Sequence, residues 1–314
     1  VLVPVFNNAQ YLHECIDSIV NQTLDDIEII IINDGSTDQN AIDILNDYAQ
    51  KDDRIRLIHK KNTGYGHSMN CGLLAAKGEF IGIVESDDYV INNMYQELYV
   101  HAKNNNIDFV KADFYRFERD KSGKLKCYIN SISNKNFYYN RVINPEKERI
   151  VFSFVMNTWS GIYKRDFLQE NDIFHNETPG ASFQDNGFWF QTLCFAKRVL
   201  FINVPYYMNR RDNEGSSIYK KDKIFAIHFE YSFIYDKVFR HEWNKEKFLS
   251  IYQFYKYKAY CASINRSSNE SKHDFINTFS QEFLLSQKKN ELDLSYFSEG
   301  AKKNLSKIMT NPTE

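Results

Sequence analysis

Apolar and polar residues alternate in blocks along the first 112 residues, and the blocks follow two different spacings. Short runs that are almost continuously apolar, such as 27–32, are typical of strands covered on both faces. Residues 7–22 instead place their apolar side chains on one helical stripe. Strands that alternate with helices predict parallel pairing through right-handed crossovers. The pattern therefore predicts an α/β fold in which a mostly parallel sheet is flanked by helices.

The later part of the chain is less regular. Residues 121–124 predict a hairpin turn, 183–197 a helix, and 199–204 a strand that ends at Pro205. After about residue 222 the chain is rich in aromatic residues at helical spacing. These patterns predict the helices 225–239 and 248–264, followed by a polar tail from about residue 286 that we expect to be mobile at its end.

The predicted domain organisation follows from these elements. We expect one α/β domain over residues 1–217, built from the halves 1–112 and 113–217. A helical C-terminal extension is expected over residues 218–314.

Composition narrows the classes of function. The chain has 314 residues and a net charge of −2, which gives no electrostatic indication of nucleic-acid binding. No apolar run reaches the length that a membrane-spanning helix needs. The five cysteines form no CxxC pair, which favours reduced thiols and a cytoplasmic protein.

An acidic block, Glu85-Ser86-Asp87-Asp88, follows the predicted strand 80–84. In an open α/β sheet, ligands bind at the carboxyl ends of the strands. Carboxylates at that edge suit Mg²⁺ or Mn²⁺, which bind one or two carboxylates together with phosphate oxygens and water. The alternative is a solvated acidic turn that caps the next helix.

A second polar block, 33–38, follows the buried run 27–32. Asp34 comes directly after the strand and is not needed for capping, because Ser36 and Asp38 can cap the next helix. Its carboxylate can accept a hydrogen bond from a base N–H or a ribose hydroxyl. A third segment, 62–70, carries Gly64, where the backbone can approach a ligand closely. This segment is not a dinucleotide fingerprint, and no phosphate-binding GxxxxGK[ST] loop is present.

Two blocks in the second half also carry candidate chemistry. A Gly/Ser loop leads into a helix that begins near Asp185, which is either a general base or a helix N-cap. Trp189 lies four residues later and is expected to line a pocket on the same helix face. Residues 210–217 combine arginines with serines, a pairing that suits a diphosphate, although an exposed charged loop is the alternative.

These blocks, in this order, resemble the family-2 glycosyltransferases, which are inverting enzymes with the GT-A fold. The resemblance covers roughly residues 1–217. It rests on residues 4–7 and 33–38, on the segment with Asn62, Gly64 and Asn70, on the acidic block 85–88, and on the pair 184–185. It implies a nucleotide-binding half over 1–112 and an acceptor-binding half over 113–217.

The resemblance also implies roles for individual residues. Asp185 is the expected catalytic base that removes the proton of an acceptor hydroxyl. Asp87 is the expected ligand of the metal and diphosphate, joined by Glu85, while Trp189 and Asp88 are expected to line the acceptor pocket. The residues expected to bind the nucleotide are Pro4, Val5, Phe6, Asn7, Asp34, Asn62, Gly64, Ser86, Asp87, Arg211 and Ser216.

Two positions depart from the pattern of the family. The first acid of its DxD signature is Glu85, whose longer arm can move the charge from the metal towards the ribose. The usual Glu-Asp pair near the base is here Gln184-Asp185, which leaves the role of base to Asp185. The resemblance implies Mn²⁺ or Mg²⁺ as the cofactor.

The predicted partners are a nucleotide-sugar donor, with a UDP-sugar favoured, and a saccharide or lipid-linked acceptor. The richness in Lys, Asn, Ile, Phe and Tyr suggests a bacterium that makes capsule or lipopolysaccharide.

A nucleotidyltransferase is a second hypothesis for the function, but that class of enzyme would need a basic Gly-rich loop after the first strand. A third reading is a non-catalytic nucleotide-sugar-binding scaffold protein. The segment 252–260 is either a peripheral membrane contact or an ordinary packed helix.

Overall fold

The computed structural model describes residues 1–215, 224–266 and 269–312. The chain divides into two compact units, Val1–Glu214 and Gly215–Glu314. The predicted domain boundary at residue 217 lies outside the described residues, as does Ser216.

The N-terminal unit is a mixed α/β structure, as the sequence predicted. Its strands are β1 (Leu2–Val5), β2 (Ile29–Asp34), β3 (Ile55–Lys60), β4 (Phe80–Gly82), β5 (Tyr89–Val90), β6 (Phe109–Arg119), β7 (Leu125–Asn130), β8 (Val142–Ile143), β9 (Gly161–Lys164) and β10 (Val199–Arg210). Its helices are α1 (Ala9–Val20), α2 (Gln39–Lys51), α3 (Tyr65–Ala75), α4 (Met94–Asn105), α5 (Arg165–Glu170) and α6 (Gln184–Phe195). Two short 3₁₀ turns cover Asn136–Tyr138 and Arg149–Ser153.

The strands form two sheets joined along β1. The first sheet is parallel, in the order β1-β2-β3. The second has the path β4-β9-β6-β10-β5, in which β10 is parallel to β6 while β9 is antiparallel to both of its neighbours. Leu2 forms a parallel bridge to Ile83, and the Val84 amide donates to the Leu2 carbonyl at 3.0 Å. The carboxyl ends of β1, β2 and β4 therefore lie side by side.

Burial on both faces explains why β2 is so uniformly apolar. Its four consecutive isoleucines, 29–32, are fully buried. The apolar stripe of α1, which includes Leu12 and Ile16, belongs to the same core. Burial of apolar surface is the dominant favourable contribution to folding, so this packing fixes the edge on which the polar blocks lie.

One predicted boundary was wrong. β10 does not end at Pro205 but continues to Arg210, with a shift in register between Ile202 and Tyr207. The irregularity accommodates a proline, which has no N–H to donate to a ladder. β6 extends to Arg119 because it pairs with β7 across the predicted hairpin turn at 121–124.

The C-terminal unit is helical, as predicted. It contains α7 (Ile224–Phe239), α8 (Glu242–Arg266), α9 (Asn269–Lys288) and α10 (Glu299–Thr310). The polar tail expected from residue 286 thus includes a helix, which Ser298 caps and whose Leu305 is buried.

The segment 252–260 lies within α8 and packs inside this unit. Tyr252 and Tyr260 are buried, and Lys256 forms an ion pair with Glu282 at 3.2 Å. The segment is therefore a packed helix rather than an exposed docking face. Across the described ranges, no helix combines the length and apolar character needed to cross a bilayer.

Candidate active site

Two consecutive asparagines join the loops at the carboxyl edge of the sheet. Asn7 accepts hydrogen bonds from the backbone amides of Thr37 at 2.9 Å and Asp38 at 3.1 Å. Asn8 donates its side-chain amide to the Ser86 hydroxyl at 2.9 Å. Both asparagines have left-handed backbone angles, with φ of 61° and 62°, a conformation that asparagine tolerates better than most residues. The loops after β1, β2 and β4 are therefore held together.

The residues predicted to form the base pocket differ in exposure. Pro4 and Val5 are buried within β1. Phe6, the next residue, has 47% of its surface exposed at the end of the strand. An exposed aromatic ring at this edge offers a surface on which a base can stack.

Asp34 is buried and holds the loop that precedes α3. Its carboxylate accepts the backbone amides of Thr63 and Gly64, each at 3.0 Å, and forms an ion pair with Lys60. These donors occupy three of the roughly four lone-pair sites of a carboxylate, so one remains for a ligand. Lys60 also donates to the Thr63 hydroxyl at 2.5 Å, which sequence reasoning did not foresee.

The loop before α3 is pressed against the segment that leads into α6. Gly64 has a φ of 100°, and a Cβ there would lie 2.7 Å from the Gly180 nitrogen. A Cβ on Gly66 would lie only 1.9 Å from the Asn176 carbonyl oxygen. The Tyr65 amide donates to the Gly180 carbonyl at 2.9 Å. Glycine is needed here for close approach to protein backbone, in addition to the approach to a ligand that the sequence suggested. Asn62, also predicted to bind the nucleotide, lies exposed in the same loop.

Glu85 turns towards α3. The Tyr65 hydroxyl donates to Glu85 Oε1 at 2.8 Å, and the Glu85 backbone amide donates to the Tyr207 hydroxyl at 3.0 Å. Burial raises the pKa of the Glu85 carboxyl well above its usual range, and the nearby Asp185 carboxylate raises it further.

Asp185 lies in the first turn of α6, beside the same tyrosine. The Thr158 hydroxyl donates to Asp185 Oδ1 at 3.4 Å, and the Tyr65 hydroxyl, which donates to Glu85, lies nearby. Burial raises the pKa of Asp185, while the Tyr65 hydrogen bond and the Lys111 ammonium act in the opposite direction. A carboxylate with a raised pKa suits general-base catalysis near neutral pH.

Lys111 is a buried cation near Asp185 that sequence reasoning missed. Its side chain is only 4% exposed, and it donates to the Asn157 carbonyl and lies 5.7 Å from the Tyr163 ring centroid. Burial lowers the pKa of Lys111 to about 7, against the attraction of Asp185. A lysine inside an apolar strand is unusual, and this was the signal in the sequence that pointed to it.

The structure corrects both predicted acceptor-pocket residues. Asp88 is 2% exposed, and its carboxylate accepts hydrogen bonds from the Tyr207 hydroxyl at 2.8 Å, Asn209 at 3.0 Å and the Arg210 amide at 2.6 Å. Burial raises the pKa of Asp88 to about 7, with a further contribution from the charge of Asp87. Asp88 therefore supports the end of β10 rather than facing an acceptor.

Trp189, the second of these residues, is also buried. Its ring lies edge-on to the ring of Phe152, with centroids 6.0 Å apart, because α6 is enclosed on almost every side. It contributes to the core of the N-terminal unit.

Arg210, the residue before the predicted Arg211, contacts the acidic block. Its Nε donates to the Asp87 carbonyl at 2.6 Å, and its guanidinium lies 4.3 Å from the Tyr11 ring centroid and pairs with Glu14. The predicted residue, Arg211, is half-buried at the end of β10, where its amide donates to the Phe117 carbonyl at 2.8 Å. Ser216, which was predicted to act with it, lies outside the described residues.

Asp87 fits the role of a metal ligand that acts with a phosphate. Its Oδ2 accepts from the Asn213 amide at 2.7 Å, which leaves lone pairs on the carboxylate for a cation. Within the part of the chain that the structure describes, no three His, Cys, Asp or Glu side chains cluster to hold a metal. Mn²⁺ and Mg²⁺ can be held by one or two carboxylates when phosphate oxygens complete the shell, so the donor set suits such an ion.

The loops after β1, β2 and β4 lie at the carboxyl edge of the sheet, which is where open α/β sheets bind their ligands. Residues 1–168 match the family model described as glycosyl transferase family 2. The chain belongs to this family.

Individual relatives agree with this assignment. The chain is 32% identical over 214 residues to the uncharacterized glycosyltransferase EpsJ of Bacillus subtilis, covering 68% of this chain and 60% of that protein. It is 31% identical to glycosyltransferase GlyG of Streptococcus pneumoniae, covering 67% of this chain and 70% of that protein. The match thus spans only about 60% of the length of EpsJ.

A solved structure shows the same fold. The crystal structure of S. aureus TarS 1–349 in complex with UDP-GlcNAc superposes with a TM-score of 0.68 at 19% identity. The match covers 90% of this chain and 79% of that one.

Proposed function

We propose that this protein is an inverting glycosyltransferase of bacterial surface glycan synthesis. It transfers a sugar from a nucleotide-diphosphate sugar, with a UDP-sugar favoured, to a hydroxyl of a saccharide or lipid-linked acceptor. Family membership supports the class of reaction, and the TarS complex with UDP-GlcNAc supports the choice of donor.

The observation that carries the proposal is the place of Asp185. Its partly buried carboxylate lies near Tyr65, which in turn donates to Glu85 at the start of the acidic block. A carboxyl with a raised pKa therefore faces the sheet edge at which a nucleotide would bind. This pairing of donor edge and base is what a single displacement requires.

The chemistry follows from this pairing. Asp185 takes the proton of the acceptor hydroxyl as its oxygen forms a bond to the anomeric carbon. The bond to the diphosphate oxygen breaks on the opposite side, and its electron pair leaves with the nucleoside diphosphate. One displacement inverts the anomeric centre, so an α-linked donor yields a β-glycoside without a covalent enzyme intermediate.

The nucleotide would occupy the carboxyl edge of the first sheet. Phe6 offers the exposed ring for the base, and Asp34 has one lone-pair site left for the uracil or ribose. Asn62 and Gly64 lie in the loop that Asp34 holds, and Ser86 is fixed by Asn8 on the other side.

Asp87 would hold Mn²⁺ or Mg²⁺ together with the diphosphate. Such an ion, when bound, neutralises charge that develops on the leaving diphosphate. Asp87 is suited to this because Asn213 orients it from one side only. Arg211 and Ser216 are proposed to close over the same group.

The proposal is tested by transfer assays with a panel of UDP-, GDP- and CDP-sugars and by calorimetry of the corresponding nucleotides. We expect Asp185→Asn to abolish transfer and to leave UDP affinity close to that of the wild type. Asp87→Asn is expected to weaken UDP binding in the presence of Mn²⁺. Asn213→Asp is not a suitable control, because it would add a charge beside Asp87.

Other outcomes separate the alternatives. A preference for GDP or CDP would agree with a glycosyltransferase but would contradict the proposal that Asp34 binds uracil. Nucleotide binding without turnover, unaffected by Asp185→Asn, would favour the scaffold protein. A folded protein that binds none of the three nucleotides would contradict the proposal.

A further inference from the structure

We propose that Arg116 binds an anionic group of the acceptor, a phosphate or a carboxylate, and that Asn209 accepts a hydrogen bond from a hydroxyl beside that group. The inference rests on the proposed function and narrows its acceptor to one that carries a negative charge. It is drawn from two side chains of the N-terminal unit whose polar atoms have no partner in the fold.

Arg116 is the first of these side chains. It is half-buried on β6, and its guanidinium carbon lies 5.8 Å from the ring centroid of Phe114. Its Nε is buried without a hydrogen bond, and the side chain enters no ion pair, among the residues that the structure describes. A buried donor without a partner costs free energy, and folded proteins contain few of them. A ligand that accepts from Arg116 would remove this cost.

The carboxylates on this part of the sheet are engaged elsewhere. Glu118 lies two residues further along β6, on the same face as Arg116, and forms an ion pair with Lys126 at 3.9 Å. Asp88 accepts three hydrogen bonds from residues of β10. Neither carboxylate therefore neutralises the charge of Arg116.

Asn209 is the second side chain. It is the register partner of Arg116 in the parallel pairing of β10 with β6, so both side chains lie on the same face of the sheet. Its Nδ2 donates to Asp88 Oδ2 at 3.0 Å, and this bond fixes the amide because a carboxylate only accepts. Its Oδ1 is buried and accepts no hydrogen bond within the described ranges. A charged donor and a neutral acceptor thus stand on neighbouring strands, which suits an anionic group next to a hydroxyl.

Trp159 connects this face of the sheet to the proposed base. Its ring lies edge-on to that of Phe114 with centroids 4.7 Å apart, and Phe114 precedes Arg116 by two residues on the same face. Thr158, directly before the tryptophan, donates to Asp185 Oδ1 at 3.4 Å. Arg116 therefore lies on the side of the sheet that leads to the base, where the acceptor hydroxyl has to bind.

The chemistry of the arginine side chain defines the class of group that it would bind. A guanidinium stays protonated in proteins and offers its N–H groups in a planar fork, which bonds two oxygens of a phosphate or a carboxylate at once. Both groups present the same pair of oxygens, so the experiment has to separate them.

Three small probes test the site in the full chain: glycerol 3-phosphate, methyl glucuronide and the uncharged methyl glucoside. Saturating UDP and Mn²⁺ keep the phosphate probe out of the proposed diphosphate site, and ligand-observed NMR measures each affinity. Because hydrogen bonds to charged groups are the stronger ones, we expect an anionic probe to bind about 10-fold or more tightly than methyl glucoside. Arg116→Gln should abolish this preference. The anionic probe that binds more tightly identifies the group as a phosphate or a carboxylate.

Arg119→Gln is the matched control. It removes the same charge from the same strand, but from a residue that pairs with Glu14. This variant should keep the preference for the anionic probe. An equal loss of preference in Arg119→Gln and Arg116→Gln would be a general effect of net charge and would overturn the inference. An anionic probe that binds wild type no better than methyl glucoside would overturn it as well.

Thermal stability separates a binding residue from a structural one. Arg116→Met removes the unpartnered Nε, so its melting temperature should equal or exceed that of the wild type. A melting temperature several degrees lower would show that Arg116 supports the fold, and would contradict its assignment to a ligand.

The affinity for UDP in the presence of Mn²⁺ distinguishes failure of this inference from failure of the proposed function. In Arg116→Gln this affinity should stay within about twofold of wild type, because the arginine is assigned to the acceptor. A loss like that expected for Asp87→Asn would place Arg116 at the donor and overturn the inference. A wild-type protein that binds no nucleotide contradicts the proposed function. One that binds UDP but shows no preference among the three probes contradicts this inference alone.

Discussion

The side-chain amide of Asn70 donates to the backbone carbonyl of His175 at 2.9 Å, and its oxygen accepts the backbone amide of the same residue at 2.9 Å. The amide also donates to Glu177 at 2.9 Å. Helix α3, which follows the loop that Asp34 holds, is therefore bonded directly to the segment that leads to Asp185. The predicted nucleotide loop and the predicted base share one support.

Loss of this support should affect both folding and turnover. Asn70 is buried, so Asn70→Ala leaves backbone groups of His175 without partners and should cost about 1–3 kcal/mol of unfolding free energy. We also expect kcat to fall more than the donor KM rises. Asn105→Ala, which removes a single bond from a helix end to the His101 carbonyl, should stay within about 0.5 kcal/mol of wild type. If Asn70→Ala and Asn105→Ala lost the same free energy of unfolding, Asn70 would not be the support of the His175 segment.

The close approach of α3 to the base segment predicts an asymmetry between glycines. Gly66→Ala places a Cβ against the Asn176 carbonyl and should destabilise the protein by about 1–3 kcal/mol through overpacking. Gly300→Ala, in α10 with open space around it, should instead stabilise by about 0.5–1 kcal/mol. Thermal unfolding of the two variants measures the difference. A Gly66→Ala protein as stable as wild type would mean that the two segments are farther apart than in the structure.

Lys111 predicts a pH effect on catalysis. Its ammonium lowers the pKa of Asp185, so Lys111→Met should raise that pKa and move the acid limb of kcat/KM to higher pH. The groups that also face Asp185 are Tyr65 of α3, Glu85 after β4 and Tyr163 of β9, and none of them is changed.

Lys256→Met serves as the control, because Lys256 is also buried but pairs with Glu282 in the C-terminal unit. It should cost stability without moving the acid limb. A Lys111→Met enzyme whose limb stays in place, with activity lost in proportion to stability, would show that Lys111 only holds the Asn157 carbonyl.

His175 predicts a pH effect on stability. It is 1% exposed, stacks on Phe188 with ring centroids 4.4 Å apart, and neither ring nitrogen has a partner in the part of the chain that the structure describes. Burial lowers its pKa to about 3, so its neutral form is retained in the folded state. The unfolded chain takes up a proton below the ordinary histidine pKa of about 6.5, and the folded protein does not.

Keeping His175 neutral therefore contributes to the free energy of unfolding in full above about pH 6.5, and this contribution is lost as the pH falls towards 3. Between about pH 7 and pH 5 the loss should reach about 2 kcal/mol. Urea unfolding of His175→Phe should show a smaller fall over this range than wild type. Identical pH dependence in the two proteins would assign the acid instability to other groups.

Much of this arrangement was available from the sequence. The continuous apolar run of β2, with Asp34 at its end, predicted a strand buried on both faces and a polar group at the ligand-binding edge. The order of the polar blocks placed Asp34, Glu85 and Asp87 after strands of the predicted sheet, and parallel pairing sets the ends of these strands side by side. These features depend on local spacing and on burial, and both can be inferred from the order of apolar and polar residues in the sequence.

The tertiary structure alone decided which side chains face each other. It turned Glu85 to Tyr65, placed Lys111 beside Asp185, buried Asp88 against β10, and carried β10 past Pro205. Spacing along a strand or helix fixes the face on which a residue lies. The contacts between segments a hundred residues apart depend instead on how the loops pack and which rotamers the core allows, and no local pattern encodes that packing.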